Sequence, residues 1–169
     1  MARIVVAAEA SQHNLGGDSM SAAYSYGADQ VVPANSSVLF NESPVPCREG
    51  LVYHRDGSGI FRLVNRFFRQ NLCSCWKRNS NYLVSFNANI EIPEGGTVET
   101  ISLALAVDGE IDPGAIMEYT PAAVEQPGNV SVSVIAQVPY VCTCSNVSVR
   151  NISTQPITVS NANIVIDKA

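Results

Sequence analysis

The segment at residues 81–92, NYLVSFNANIEI, alternates between an apolar face and a largely polar one. A repeat of two places successive side chains on opposite faces, which is the pattern of a half-buried β-strand. The turn-forming sequence PEGG at residues 93–96 ends the segment. The predicted apolar face carries Tyr82, Val84, Phe86, Ala88, Ile90 and Ile92. Because only one face is apolar, we expect this strand in an antiparallel sheet that covers a core on one side and faces water on the other.

Short runs of β-branched and aromatic residues, each closed by a turn signal, continue through the chain from residue 37 onward. Two of the turns contain Asp-Gly, at residues 56–58 and 108–109. Besides residues 81–92, the runs lie at residues 37–41, 51–55, 59–65, 97–107, 116–119, 129–138, 145–151 and 156–166. Eight or nine strands with no helical segment between them predict an all-β protein, a two-sheet antiparallel jelly roll.

The composition fits one globular domain. With 169 residues, 46% hydrophobic and only 15% charged, the chain is not a disordered polyelectrolyte. No apolar run approaches the roughly 18 residues of a membrane-spanning helix, so no membrane partner is expected. The start, MARIVVAAEA, lacks the long apolar region of a signal peptide because Glu9 interrupts it. We therefore expect the chain to be made in the cytosol and not secreted.

Residues 1–36 differ in composition from the rest of the chain. They are rich in Ala, Ser, Gly and Asn and have no sustained hydrophobic period of a helix or a strand. We predict an extended N-terminal arm at residues 1–36 and a jelly-roll domain at residues 37–169. Such a composition cannot bury enough apolar surface to fold alone, so the arm is expected to order against a partner surface or a neighbouring subunit. The apolar residues expected to make this attachment are Ile4, Val5, Val6, Leu15, Tyr24, Tyr26 and Val31.

The charge is unevenly distributed. The net charge of −5 argues against nonspecific binding of nucleic acid. Residues 47–78 contain seven bases and two acids, whereas residues 91–125 contain eight acids and no base. Either a folded copy presents oppositely charged surfaces to its neighbours, or the protein has two differently solvated surfaces.

The five cysteines are an odd number, and without a secretory signal reduced thiols are favoured over a disulfide framework. Four of them form the pairs Cys73 with Cys75 and Cys142 with Cys144. In strands, this spacing places both thiols of a pair on one face, so the two pairs together could form a four-sulfur zinc site. Structural zinc sites usually leave two to four residues between cysteines, so buried free thiols acting as small hydrophobes are favoured over zinc.

No catalytic constellation is present in the sequence. The two histidines are His13 and His54, and His54 is interpreted as a surface strand residue. There is no nucleophile-elbow, zinc-protease or phosphate-loop motif. The sequence DGEIDPG, with Asp108, Glu110 and Asp112, either binds calcium or forms turns, and turns are favoured. We expect neither enzymatic activity nor a cofactor.

Five stretches of the sequence together carry a family resemblance. In order, VLFNESPVPCREGLVYHRDGSGIFRL, YLVSFNANIEIPEGG, ISLALAVDGEIDPGA, VSVSVIAQV and SVRNISTQPITVSNANIVI resemble the tumour-necrosis-factor-like jelly roll over residues 37–168. The nearest branch is that of the complement globular heads and the tips of exosporium collagen-like glycoproteins. The resemblance implies a compact homotrimer, and relatives occur as fibre heads and decoration proteins on phage particles. No Gly-X-Y stalk is present, and the Ala/Ser arm is similar to the anchoring segments of phage head or tail fittings.

The resulting hypothesis is a structural virion protein: a trimeric capsid decoration or head-fibre protein of a bacteriophage, assembled in the host cytoplasm and anchored by its arm to the major capsid protein or another virion protein. The resemblance also implies that the outside of one sheet packs near the threefold axis. The expected trimer interface is Ser85, Asn87, Ser133 and Ile135. The alternative is a carbohydrate- or receptor-binding adhesin head of the same fold, at a tail-fibre tip or on a spore or cell surface. Trp76 and Tyr82 either stack on a sugar or a base or pack against a neighbouring chain.

Overall fold

A computed structural model describes residues 21–47, 50–65, 79–139 and 143–169. These residues form eleven strands joined by turns and loops, and none of them is helical. In chain order the strands are β1 (Ser21–Tyr26), β2 (Gln30–Val32), β3 (Glu42–Val45), β4 (Val52–His54), β5 (Phe61–Val64), β6 (Ser80–Glu91), β7 (Ile101–Val107), β8 (Glu110–Tyr119), β9 (Gly128–Val138), β10 (Cys144–Asn151) and β11 (Ile157–Lys168). This part of the chain therefore has no helix that could cross a membrane.

The strands form two antiparallel sheets. The first sheet has the order β3-β1-β11-β6-β9, and β2 pairs with β11 next to β1. The second sheet has the order β4-β5-β10-β7-β8. Most neighbours within a sheet are distant in the chain, as expected when antiparallel strands wind back and forth between two layers. The predicted two-sheet antiparallel jelly roll is confirmed.

The core lies between the sheets, and β6 lines it as its alternation predicts. Its predicted apolar face, together with Ile92, is no more than 1% exposed at every position. The second sheet contributes Phe61, Leu63, Leu103 and Leu105 to the same buried cluster. Burying an aliphatic or aromatic side chain of this size contributes about 1.5–3 kcal/mol, so this cluster is the main source of the fold's stability.

Both predicted Asp-Gly turns are confirmed. In the β7–β8 hairpin, Val107 pairs with Glu110, which leaves a two-residue loop. The two loop residues, Asp108 and Gly109, have φ of 52° and 89°. Two successive positive φ angles define a type I′ turn, whose twist matches the twist of the flanking strands. The β4–β5 hairpin turns at Gly57, where φ is 75°.

The structure corrects the boundary between arm and domain. Residues 21–36, which the sequence analysis assigned to the arm, contribute two strands to the first sheet. β1 pairs with β11 along its whole length, and its Ala22 and Tyr24 are buried in the core. The physical reason is tertiary, because Ala and Ser have weak strand preference and β1 forms only against β11. Residues 1–20 lie outside the described residues, so for them the arm stays a prediction.

The predicted strand at residues 37–41 is wrong in its bounds. This segment makes two isolated bridges, from Ser37 to Arg150 and from Phe40 to Ser58, and regular pairing begins only with β3. Gln30 holds the segment in place: its side-chain amide donates to the Leu39 carbonyl at 3.1 Å and accepts from the Leu39 N–H at 2.8 Å. The buried amide of Gln30 thus makes the hydrogen bonds that a neighbouring strand would otherwise make to this backbone. Such an arrangement cannot be predicted from a hydropathy pattern.

Candidate oligomer interface

The outer face of the first sheet is a regular grid of short side chains. Strand register aligns three rows that cross this face from β9 to β1. They are Ile135, Leu83, Asp167 and Ser21, then Ser133, Ser85, Val165 and Ala23, then Ser131, Asn87, Asn163 and Ser25. None of these twelve residues is buried in the core. We call them the first-sheet face.

The first-sheet face carries mostly small side chains and almost no charge. Six of its twelve residues are Ser or Ala, and Asp167 is its one charged residue. The hydroxyls of Ser85 and Ser133 hydrogen-bond to each other at 2.8 Å. One of the two O–H donors is therefore satisfied within the sheet, which reduces the cost of covering this pair. Short side chains also allow a second surface to approach the backbone closely.

Two adjacent apolar side chains project from one end of this face. Leu83 is 38% exposed and Ile135 is 64% exposed, and the two are paired in register. Ile135 is the most exposed large hydrophobic side chain among the described residues. The half-buried Val165 lies in the next row. Exposed apolar side chains on a surface with little charge are typical of a protein–protein contact.

The structure brings the four predicted interface residues together. Ser85, Asn87, Ser133 and Ile135 lie on adjacent strands of the first-sheet face. Their role between subunits stays a prediction. The sequence analysis missed Leu83, which interrupts the polar side of an alternating segment and could have been found by that signal. It also missed Ala23 and Val165, whose place on this face follows from pairing that the sequence does not reveal.

The predicted attachment residues are not together. Tyr24 is 4% exposed, with its ring centroid 4.9 Å from those of both His54 and Phe61. It is a core residue, so its assignment to an attachment surface is wrong. Tyr26 is half-buried in β1, and Val31 is 63% exposed in β2. The other members of the set, Ile4, Val5, Val6 and Leu15, lie outside the described residues.

His54 makes more contacts with neighbouring rings and backbone than a surface strand residue does. Its ring stacks on Phe61 with centroids 4.5 Å apart and planes 19° apart. Nε2 lies 3.1 Å from the Phe40 carbonyl oxygen and Nδ1 lies 3.3 Å from that of Ile60. A neutral imidazole carries one N–H and donates to one of the two carbonyls. With both nitrogens facing backbone acceptors, the ring connects the hairpin to the 37–41 segment and is poorly placed to act as a base on a substrate.

The cysteine predictions are tested only in part. Cys144 is exposed and Cys47 is half-buried, and both are free thiols. The interpretation of Cys144 as a buried small hydrophobe is therefore wrong, because its position on β10 places it on the outside of the second sheet. Cys73, Cys75 and Cys142 lie outside the described residues. No cluster of three or more potential metal ligands occurs among the residues that the structure describes.

Two carboxylates of the DGEIDPG sequence accept backbone N–H groups. Asp108 Oδ1 accepts the Asn146 N–H at 2.7 Å, and Asp112 Oδ1 accepts the Gly114 N–H at 2.9 Å. The Asp112 bond is local, whereas the Asp108 bond joins the turn to β10, 38 residues along the chain. The turn interpretation is confirmed for Asp108 and Gly109 and is wrong for Asp112, Pro113 and Gly114, which lie within β8.

Tyr82 is not available to stack on a ligand. It is completely buried, and its hydroxyl donates to the Val64 carbonyl at 2.6 Å. Burial, with a smaller contribution from the neighbouring Cys47, raises the pKa of Tyr82 to about 12. The predicted ligand surface of Trp76 and Tyr82 is therefore wrong for Tyr82, and Trp76 lies outside the described residues.

Comparison with known proteins identifies the fold. No family model matches the sequence, and no curated protein matches it. Three solved structures are similar over most of their length. The Eiger TNF of S. frugiperda has a TM-score of 0.61 at 11% identity over 89% of this chain and 92% of its own. The globular domain of zebrafish complement 1qA has a TM-score of 0.55 at 10% identity over 88% of this chain and 94% of its own. Murine APRIL has a TM-score of 0.57 at 8% identity over 88% of this chain and 99% of its own.

These identities are low, and the likeness lies in the architecture. The shared features are the two antiparallel sheets and the nearly complete coverage of each neighbour. The chain is therefore a jelly-roll protein with the fold of the tumour necrosis factor and complement 1q globular domains.

Proposed function

We propose that this protein is a non-enzymatic structural subunit that assembles as a homotrimer through its first-sheet face. The observation that carries the proposal is this face itself: half of its residues are Ser or Ala, one is charged, and it carries the exposed pair Leu83 and Ile135. In a closed threefold assembly, part of this face on one subunit contacts a different part of the surface of its neighbour. The number three is what the sequence resemblance implies.

The remaining surface supports a structural role over a catalytic one. Enzymes need a nucleophile or base held within reach of a partner group. Both ring nitrogens of His54 contact backbone carbonyls, and Asp108 and Asp112 bind backbone N–H groups. The candidate groups in the described part of the chain are thus engaged in holding the fold.

The finer proposal is that the trimer is a decoration or head-fibre protein on a bacteriophage particle. Its support is the sequence resemblance and the Ala/Ser-rich composition of residues 1–20. Because Tyr24 is buried, attachment falls to Leu15 and its neighbours and to exposed residues such as Val31. Co-sedimentation with assembled capsids tests this proposal: we expect wild-type protein to sediment with particles, and a Leu15→Asp variant to remain in the supernatant. Wild-type protein that stays in the supernatant would contradict it.

The oligomer is tested with one substitution and a matched control. Ile135→Asp places a charge within the proposed contact, where burying it without a partner costs several kcal/mol, about 3 or more. Ile60→Asp makes the same exchange at a side chain that is 52% exposed in the β4–β5 hairpin of the other sheet. We expect wild type and Ile60→Asp to sediment as trimers and Ile135→Asp as a folded monomer. A wild-type monomer at micromolar concentration, or a trimer in all three proteins, would refute the proposed interface.

A further inference from the structure

The second sheet carries exposed positive charge at one of its edges. Arg55 and Arg62 are the two exposed basic residues in the described part of the chain. Both lie on the β4–β5 hairpin, where Asp56 in the turn is the one acid. Two exposed apolar side chains lie on the same hairpin: Tyr53, 44% exposed and paired with Arg62, and Ile60, 52% exposed. We call Tyr53, Arg55, Ile60 and Arg62 the hairpin edge.

The opposite edge of the second sheet is acidic. β8 carries Glu110, Asp112 and Glu118 and no base. Glu110 and Glu118 are exposed, and the apolar Ile116 between them in the sequence is 42% exposed. Asp112 is half-buried, and its Oδ1 accepts the Gly114 N–H. We call Glu110, Asp112, Ile116 and Glu118 the β8 edge.

The charges of the two edges cannot meet within one subunit. β10 and β7 lie between β5 and β8, which places these strands three spacings or about 14 Å apart. An ion pair requires charged atoms within about 4 Å of each other. Among the described residues, the side chains of Arg62 and Glu118 make no hydrogen bond or ion pair. Both charges are therefore available to another molecule.

We propose that the hairpin edge of one copy binds the β8 edge of a second copy. One edge presents two cations and the other presents carboxylates, and each has exposed apolar side chains beside its charges. Such complementarity determines which surfaces meet and in what orientation. The contact is made by side chains and not by strand addition, because β4 has only three residues and β8 contains Pro113. β8 also lies beside β9, where Tyr119 closely approaches Gly128.

The contact is head to tail, since each copy uses its hairpin edge toward one neighbour and its β8 edge toward another. Such a contact produces a ring or an open chain of copies. Both edges belong to the second sheet, so the contact leaves the first-sheet face free and does not depend on the trimer. Exposed ion pairs are individually weak and are screened by salt. We therefore expect the contact at high protein concentration and low salt, well above the micromolar range in which the trimer is tested.

Sedimentation of the full-length protein at about 500 µM, in about 20 mM salt, tests this contact. We expect wild type to form larger species than at micromolar concentration, and these species to disperse in about 500 mM salt. Arg62→Glu and Glu118→Arg should each lower the association constant at least about fivefold, because each places like charges across the contact. The double variant restores opposite charges and should return to within about threefold of wild type. Glu94→Arg is the matched control: it makes the charge change of Glu118→Arg at an exposed loop residue outside the second sheet and should not weaken association.

Three results would overturn the proposal. Wild type that forms no larger species in low salt would show that the two edges do not bind each other. Association that persists in both single variants would assign the larger species to another surface. A double variant no better than the single variants would show that the charges act without facing each other. The size at micromolar concentration reports on the first-sheet face alone, so a failure of the proposed trimer would appear as a wild-type monomer that still associates at high concentration.

Discussion

At the scale of single residues, Tyr82 links the stability of the core to pH. Its ring is buried and its hydroxyl donates to the Val64 carbonyl, and burial together with Cys47 raises its pKa to about 12. In the unfolded chain a tyrosine loses its proton near pH 10. Between about pH 10 and about pH 12 the unfolded state therefore binds fewer protons than the native state. The stability is complete below this window and falls as the pH rises through it.

Replacing Tyr82 by Phe should expose this linkage. At pH 8 the loss of the hydrogen bond to Val64 should lower the free energy of unfolding by about 1 kcal/mol. Between about pH 10 and about pH 12 the wild type should lose about 2 kcal/mol more than Tyr82→Phe. Urea unfolding at several pH values measures both effects. Tyr53→Phe, on a side chain that is 44% exposed, is the matched control and should retain the wild-type alkaline slope. An unchanged slope in Tyr82→Phe would contradict the assignment.

At the scale of strands and turns, Gly128 shows how closely β8 and β9 approach each other. A Cβ at this position would lie 2.4 Å from ring atoms of Tyr119, at the end of β8. The ring would have to move, and it is half-buried. We expect Gly128→Ala to lower the free energy of unfolding by about 1–3 kcal/mol, as overpacking does. Gly114→Ala is the control, because its nearest neighbour is Asp112 Oδ1 at 3.4 Å. Thermal unfolding of the two variants compares them, and equal midpoints would be evidence against a tight contact.

The same scale shows which elements a sequence can predict. Long strands with regular alternation, such as β6 and β9, and the Asp-Gly hairpins were predicted correctly because their signals are local. β1 was missed because SAAYSY lacks β-branched residues and becomes a strand only by pairing with β11. The buried Asn65 was also missed. It donates to the Val138 carbonyl and accepts from the Ser80 hydroxyl, and these partners lie 73 and 15 residues away.

The candidate interface was predictable to a similar degree. Alternation alone separates the outer residues of β6 and β9 from the inner ones, so four members of the first-sheet face were found. Grouping them with Ala23 and Val165 requires the strand order, which is set by contacts between distant parts of the chain. The position of Tyr24 could not be predicted, because a tyrosine in an Ala/Ser-rich segment gives no sign of the aromatic cluster that receives it.

At the scale of the whole molecule, charges of opposite sign lie at the two edges of the second sheet in the described part of the chain. The exposed Arg55 and Arg62 lie at the β4–β5 edge, and Glu110 and Glu118 lie on β8 at the opposite edge. The nearly uncharged first-sheet face lies on the other layer, and the other five bases of residues 47–78 lie outside the described residues. Charge at the edges and its scarcity on the first-sheet face favour that face as the permanent contact, since buried contacts are depleted in charge.

Assembly through that face should appear in the thermal stability of the whole protein. Unfolding of a trimer releases three chains, so mass action raises the unfolding midpoint as the protein concentration increases. We expect the wild-type midpoint to rise by several degrees, roughly 4–8, between about 1 µM and about 100 µM. Calorimetry at both concentrations measures this rise.

The Ile135→Asp variant should behave differently, because its largest core side chains, such as Tyr82, Phe61 and Phe86, are buried between the two sheets of one subunit. The subunit can therefore keep its core when the first-sheet face is uncovered. We expect Ile135→Asp to unfold cooperatively at a lower midpoint that does not change with concentration, whereas Ile60→Asp follows wild type. If the wild-type midpoint were also independent of concentration, the jelly roll would be stable as a single chain, and the Ser- and Ala-rich face would need an explanation other than assembly.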